Sequence, residues 1–374
     1  MAEDRVDIVI VGAGIAGASL GAAIAGRASV LMVEMEAQPG YHTTGRAVAF
    51  WSESYGGPRI APLTRASHAA LARPEADFSG QAFLTPRGGL HIGRAADAER
   101  RAAMLAAYPA PSPFRAVAEG AAHARVPGLR PEWTLALEEP DIADIDAAAL
   151  LGACLARFRR RGGVLRTDCR FVGADRREGA WRVRLSSGEE IRAGRIVDAA
   201  GAWADDVARA CGVRPVGIRP LLRTVAQLRV ATALPDDLPL VLDMAEHFYF
   251  KPVGGNRIWL TPHDEQPALP GDAAPDELDV AIAIDRLQQV VDWPIEAVER
   301  KWAGLRSFAP DRLPVYGADP DCPSFFWFAG QGGFGLQTAP AGAWIGQSLL
   351  LGEAPAPALA GIDLAPYAPD RFRG

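Results

Sequence analysis

The stretch VDIVIVGAGIAG, Val6 to Gly17, decides how this chain is read. Val6 to Val11 is a short β-branched run suited to a strand buried on both faces. Gly12 opens a Gly/Ala-rich segment reaching Gly26 that fits a tightly packed helix, and Val30 to Glu36 reads as a second strand. The first 36 residues therefore predict one βαβ unit. Its glycines have separate tasks. Gly12 makes the tight turn, Gly14 lets backbone N–H groups approach a pyrophosphate, and Gly17 lets the helix settle close to the sheet. The helix N-terminus adds partial positive charge for the phosphates. Glu34 ends the second strand, twenty residues after Gly14, where a carboxylate accepts a ribose hydroxyl and disfavours a 2′-phosphate. Together these features predict a dinucleotide site. Chance Gly-rich packing and a solvated strand end would not explain the register between Glu34 and the glycines.

Outward from this unit, Pro39 to Gly57 is polar and glycine-containing, and Ala61 to Leu71 reads as a helix. Phe83 to Glu139 has the pattern of short strands and Pro-rich turns. DIADID (Asp141–Asp146) reads as a turn ending at Asp146, the N-cap of a helix to about Arg161 that Gly162 and Gly163 stop. A hairpin is predicted from Arg182–Leu185 and Glu190–Ile191, then a separate strand from Arg195 to Ala199 and a helix from Gly201 through Cys211. Arg219 to Trp302 returns to strands, with one helix expected over Ala283–Val291. FFWFA (Phe325–Ala329) is a last buried strand, followed by a glycine loop and a closing helix from Thr338 to Leu351. The tail after Gly352 reads as a surface segment. The expected organisation is α/β, with a discontinuous Rossmann-like domain from 1–80, 141–215 and 307–374, and a second domain from 81–140 and 216–306.

Composition sets limits. The 374 residues carry a net charge of −6 with no basic block, which argues against a nucleic-acid partner. Cys154, Cys169, Cys211 and Cys322 are scattered without ligand or disulfide spacing, predicting reduced thiols and a cytoplasmic location. The six histidines show no metal-ligand spacing, so no metal is expected. The apolar start is not read as a signal peptide, because Glu3 and Asp4 precede it and glycines interrupt it. No stretch approaches the ~20 apolar residues of a membrane span.

Gly330–Gly335 (GQGGFG) precedes a helix, and such a loop can set backbone N–H groups and a helix dipole against a flavin pyrimidine carbonyl; a plain strand-to-helix turn is the alternative. Taken with the glycine turn, PGYHTTGR (39–46), AAGAW (199–203) and GQGGFGLQT (330–338), the chain resembles the D-amino acid oxidase/glycine oxidase superfamily, and within it the bacterial D-arginine dehydrogenases most. The resemblance runs over nearly the whole chain and implies FAD and a second, mostly antiparallel α+β domain for substrate; Ser307–Pro310 stands where sarcosine-oxidase relatives carry a linking cysteine, so the FAD is expected to be noncovalent. It implies that Thr43, Thr44, Gly45 and Arg46 lie beside the FAD pyrophosphate and flavin, and that Val172 binds adenine through its backbone. Gly201 and Trp203 would lie near the cofactor, with packing an equal reading for Trp203. Gly332, Gly333, Gly335, Leu336, Gln337 and Thr338 would surround the isoalloxazine.

For substrate, the resemblance implies a carboxylate clamp of Arg223, Tyr249 and Arg306, with Tyr55 on the active-site lid. An arginine fork suits a carboxylate, which it grips bidentately. Arg306 stands in the apolar WAGLRSF, and Tyr249 in HFYFKP faces opposite to Phe248 and Phe250 if that segment is a strand. Two departures bear on specificity. Gly89 stands where the D-arginine enzymes have a glutamate for the guanidinium, and Phe50, followed by Trp51, stands where they have a histidine. The expected substrate is thus a D-amino acid with a neutral or hydrophobic side chain, giving up a hydride from its α-carbon to flavin N5. Oxygen or a quinone-type acceptor would reoxidise the flavin. The alternatives are a sarcosine- or glycine-type amine oxidase, a 2-hydroxyacid dehydrogenase, a noncatalytic flavin-binding or electron-transfer module, and an NAD-dependent enzyme.

Overall fold

The computed structural model describes residues 5–118 and 120–373; of the sequence features named above, Glu3 and Asp4 lie outside these. Arg5–Val11, all apolar and buried from Ile8 onward, forms the central strand of an eight-stranded sheet. Val30–Val33 pairs with it in parallel on one side and Glu190–Asp198 on the other. Val164–Arg166 and Phe325–Ala329 extend the parallel core outward. The helix Ile15–Ile24 packs against Ala147–Arg160 and Ala339–Leu351, two helices drawn from distant parts of the sequence. Two apolar clusters fill the two faces of this sheet, as a parallel sheet requires.

A nine-stranded sheet forms the second layer system, antiparallel except where Leu240–Asp243 runs alongside Gly89–Gly93. Its long members are Arg219–Val230 and Ile295–Phe308, paired along almost their whole length. One face is closed by its own cluster, including Phe248, Phe250 and Trp293. The other face looks toward the glycine-rich strand ends of the first sheet. Ile295–Phe308 runs two residues past the boundary expected at 306, because Ser307 and Phe308 pair with Gln331–Gly332 of the terminal glycine loop. One strand thereby touches both sheets' functional loops.

Several expectations need correction. The DIADID turn contains a strand, Ala143–Ile145, which pairs with Phe50–Trp51 and Leu84–Pro86 in a small third sheet. Asp146 does cap the next helix, its carboxylate accepting the Ala149 N–H at 2.8 Å. The region 83–139 contains two helices, Ala98–Ala107 and Ala121–Arg125, hidden by the Pro-rich turns around them. Residues 190–198 form one strand, not two, because its first half pairs with Ala180–Leu185 and its second with Phe325–Ala329. The second-domain helix begins at Glu277, where Asp276 caps it, and ends at Gln288. The second strand stops at Val33, so Glu34 lies just past it. The tail is no loose surface segment: Leu359 and Tyr367 are buried in the first core, and the Arg373 guanidinium pairs with buried Asp319.

Candidate active site

The turn at Gly12 brings backbone N–H groups to the C-terminal edge of the first sheet. Gly12 has φ +101°, and a Cβ at Gly17 would lie 2.0 Å from the Gly12 carbonyl oxygen, so turn and helix pack without room for a side chain. The Thr44 hydroxyl accepts the Ile15 N–H at 3.0 Å, placing the 39–46 segment directly over the helix N-terminus. Thr43 donates to the Leu305 carbonyl at 2.6 Å and so ties the same segment to the second sheet. Glu34 accepts the Ala13 and Glu36 N–H groups, one on each carboxylate oxygen, at 2.8 and 3.0 Å. Those bonds hold its carboxylate at the edge of the cavity and leave lone pairs on both oxygens.

A cavity of about 440 Å³ runs from this edge to the second sheet, within the range of small-molecule sites. At its near end are Gly12, Gly14, Glu34, Val172, Gly201 and Trp203. Val172 is the unpaired residue of a bulge between Phe171 and Gly173, which frees its backbone from the ladder. Trp203 lines the cavity and also packs on His42, ring centroids 4.7 Å apart. Farther in, Thr43, Thr44 and Arg46 line one wall, and Gly332, Gly333, Gly335, Leu336 and Gln337 the other. The Arg46 guanidinium is bonded to the Ala273 and Ala303 carbonyls and to Asp272. Gly17, Gly45 and Thr338 stand one layer behind the wall; the Thr338 hydroxyl donates to the Phe334 carbonyl. The glycine loops from the two ends of the chain meet where Gly335 approaches Ile15.

At the far end the second sheet presents Arg223 and Arg306, 5% and 7% exposed, on adjacent strands. Arg306 Nη1 donates to the Tyr55 hydroxyl at 2.7 Å. Arg223 Nε donates to the Asp264 carbonyl at 3.0 Å. Two buried donors, Arg223 Nη1 and Arg306 Nε, have no hydrogen-bond partner among the described residues. Buried guanidinium N–H groups without acceptors are costly, and these two, unlike those of Arg101, Arg157 and Arg373, belong to arginines that line the cavity. Beside them the wall is apolar: Val48, Phe50, Val225 and Tyr249 form one cluster, with the Phe50 and Tyr55 rings 4.9 Å apart. Phe248 and Phe250 turn into the opposite core while Tyr249 faces the cavity, as strand alternation demands. Burial pushes the Tyr55 and Tyr249 phenols above their ordinary range, with the Arg223 charge opposing it. Both are therefore neutral donors and not bases near neutral pH.

Residues 7–348 match the family model described as DAO, FAD-dependent oxidoreductase. The chain belongs to the DAO family of FAD-dependent oxidoreductases. Among curated relatives of this oxidoreductase, glycine oxidase of Pseudomonas putida is 27% identical over 261 residues, covering 69% of this chain and 68% of that protein. Among solved structures, glycine oxidase from Geobacillus kaustophilus superposes with a TM-score of 0.80 at 22% identity, covering 98% of both chains. L-proline dehydrogenase from P. horikoshii gives 0.82 at 19% identity, covering 99% of this chain and 98% of that one. At these identities the structural likeness speaks to the fold.

The residues fit FAD. The helix N-terminus under Thr44, the carboxylate of Glu34 and the bulged backbone at Val172 suit its pyrophosphate, ribose and adenine respectively. The terminal glycine loop and the Thr43–Thr44 wall flank the remaining length, up to the arginine pair.

Three residues at or behind this site escape a reading of the sequence. The Glu265 carboxylate touches three arginines, Arg223, Arg306 and Arg312, through a single oxygen. His263 lies against Tyr249, ring centroids 5.8 Å apart; burial and then the Arg223 charge hold its pKa down to about 3, so it is neutral and adds no further cation. Glu139, fully buried, accepts from Ser52, Ser54 and His91 and thereby anchors the Tyr55 segment. Glu265 and His263 come from an irregular Pro-containing loop, and Glu139 from a strand end, where no periodic signal exists.

Proposed function

We propose that this enzyme oxidatively deaminates a D-amino acid with a neutral, apolar side chain, yielding a 2-oxo acid and ammonia. The observation that carries this reading is the pair of buried, under-bonded guanidinium groups opening onto the Phe50, Val48 and Val225 wall. A carboxylate there satisfies the orphaned donors, fixes one face of the α-carbon, and leaves the side chain against apolar surface. FAD, when bound, takes up the hydride from the α-carbon. The amine must be neutral for that loss, so its proton leaves to solvent, and the resulting imino acid is hydrolysed by water to the 2-oxo acid and ammonia. Arg223, Arg306, Tyr55 and Tyr249 bind and orient; none is placed to act as a base. Oxygen or a quinone-type acceptor would take up the two electrons.

The lining supports the preference for neutral side chains. Gly89 is buried, with the Ile142 side chain filling the position of a Cβ. Glu53 is paired with Arg65, Glu246 is exposed, and neither lines the cavity. The D configuration is supported by the family resemblance of the clamp and glycine loops. A second reading, glycine or a secondary amine as substrate, is favoured by the glycine oxidase relative and by dimethylglycine dehydrogenase of Mus musculus, 25% identical over 63% of this chain. A steady-state panel of D- and L-amino acids, glycine, sarcosine and D-arginine, scored by ammonia and 2-oxo acid, separates these readings. Highest kcat/KM for an apolar D-amino acid is expected. A wide margin for D-arginine, sarcosine or an L-amino acid refutes the proposal.

A further inference from the structure

We propose that Glu265 is an exchangeable latch on the arginine clamp. Its carboxylate occupies the clamp in the free enzyme and turns out to Arg312 when a substrate carboxylate arrives. The inference rests on the carboxylate-binding reading of Arg223 and Arg306. Glu265 Oε1 accepts from Arg306 Nη2 at 2.6 Å and from Arg312 Nη2 at 2.7 Å, and lies 3.4 Å from Arg223 Nη2. One oxygen thus serves three cations, a poor match for the bidentate geometry that guanidinium groups favour. Arg223 Nη1 and Arg306 Nε stay without acceptors while it is there. An incoming carboxylate with two oxygens would satisfy them better, and the two anions would compete for Arg306 Nη2.

The backbone of the latch is fixed. On one side of Glu265, the Asp264 carboxylate accepts the Thr224 N–H at 2.8 and 3.0 Å, and its carbonyl accepts Arg223 Nε. On the other, the Gln266 carbonyl accepts the Leu222 N–H at 2.8 Å. Motion is therefore confined to the Glu265 side chain, which is 30% exposed. Arg312 provides the outer position. It is half exposed, its guanidinium sits 4.0 Å above the Phe308 ring, and it already bonds the same oxygen. In either position the Glu265 carboxylate keeps an arginine partner, Arg306 with Arg312 on the clamp and Arg312 off it.

The test is equilibrium binding of benzoate to the FAD-loaded enzyme, read from the perturbation of the flavin absorbance, with no turnover involved. A clamp blocked most of the time lowers apparent affinity in proportion to its open fraction. Glu265→Gln should therefore bind benzoate at least about tenfold more tightly than wild type. Loss of a negative charge alone would also tighten binding, so Arg312→Ala supplies the discriminating arm. Without its outer partner the latch stays on the clamp. Arg312→Ala should therefore weaken benzoate in the wild-type background and have little effect in the Glu265→Gln background. Equal weakening in both backgrounds, or unchanged affinity in Glu265→Gln, overturns the latch while leaving the clamp standing. Failure of benzoate to bind any form overturns the latch and the clamp together. FAD content of each variant, measured after denaturation, reports whether the fold is intact.

Discussion

Glu139 offers the sharpest link between buried structure and the substrate site. Its carboxylate is 0% exposed and accepts four hydrogen bonds: Ser52 Oγ at 2.9 Å, Ser54 N–H at 3.1 Å, Ser54 Oγ at 2.6 Å and His91 Nε2 at 2.9 Å. Next in sequence, the Tyr55 hydroxyl takes the hydrogen bond from Arg306. Glu139→Ala orphans all four donors at once, a loss of roughly 3–5 kcal/mol for a broken buried charge network. In a chain of 374 residues that lowers Tm by roughly 4–6 °C. Glu139→Gln keeps one acceptor oxygen and should cost about 1–2 kcal/mol. With Tyr55 no longer held, KM for the amino acid rises several-fold while FAD content is unchanged. The pH dependence has a definite sign. Burial alone would raise the Glu139 pKa, but the His91 and Ser54 bonds outweigh it and leave it lowered. Its stabilisation is therefore complete above the ordinary glutamate pKa and is lost as pH falls through the folded value. The Tm gap between wild type and Glu139→Ala should be full at pH 7 and shrink in acid. Differential scanning calorimetry across pH, with steady-state kinetics at pH 7, checks both. An alanine variant with wild-type Tm and KM refutes the reasoning.

Three further predictions follow from separate parts of the molecule. Gly17→Ala places a methyl group 2.0 Å from the Gly12 carbonyl oxygen, so the variant should purify largely free of FAD, as its visible absorbance will show. Burial first, then Asp205 and Asp206, hold the Asp198 pKa well above its ordinary value against an opposing bond from the Ala200 N–H. Stability is then full below the ordinary aspartate pKa and declines as pH rises, by up to about 1.4 kcal/mol per pH unit; Asp198→Asn should raise Tm at pH 8 and much less at pH 4. Arg306→Lys loses the planar fork and should lower kcat/KM roughly 10²-fold, about 3 kcal/mol, mostly through KM.

Much of this was legible in the residues. The glycine turn and Glu34 announce the nucleotide edge because phosphate binding requires backbone approach at fixed spacing, and the structure puts Thr44 over the same helix N-terminus. Tyr249 could be assigned a face from alternation alone. What stayed hidden depends on contacts between distant segments. The Ala143–Ile145 strand exists because Phe50–Trp51 and Leu84–Pro86 come to pair with it, which no local pattern encodes. The tail is buried because Tyr367 finds the first core and Arg373 finds Asp319. Glu265 and Glu139 matter through partners 41 and 87 residues away, Arg306 and Ser52 respectively. Among the described residues no helix is long and apolar enough to cross a membrane.

The central claim is that Arg223 and Arg306 select the substrate by its carboxylate. The most direct measurement compares D-phenylalanine with 2-phenylethylamine, the same molecule without that group, in anaerobic rapid mixing. Prompt bleaching of the flavin by D-phenylalanine and none by the amine over the same interval is the predicted result. Equal rates of bleaching by both would contradict it.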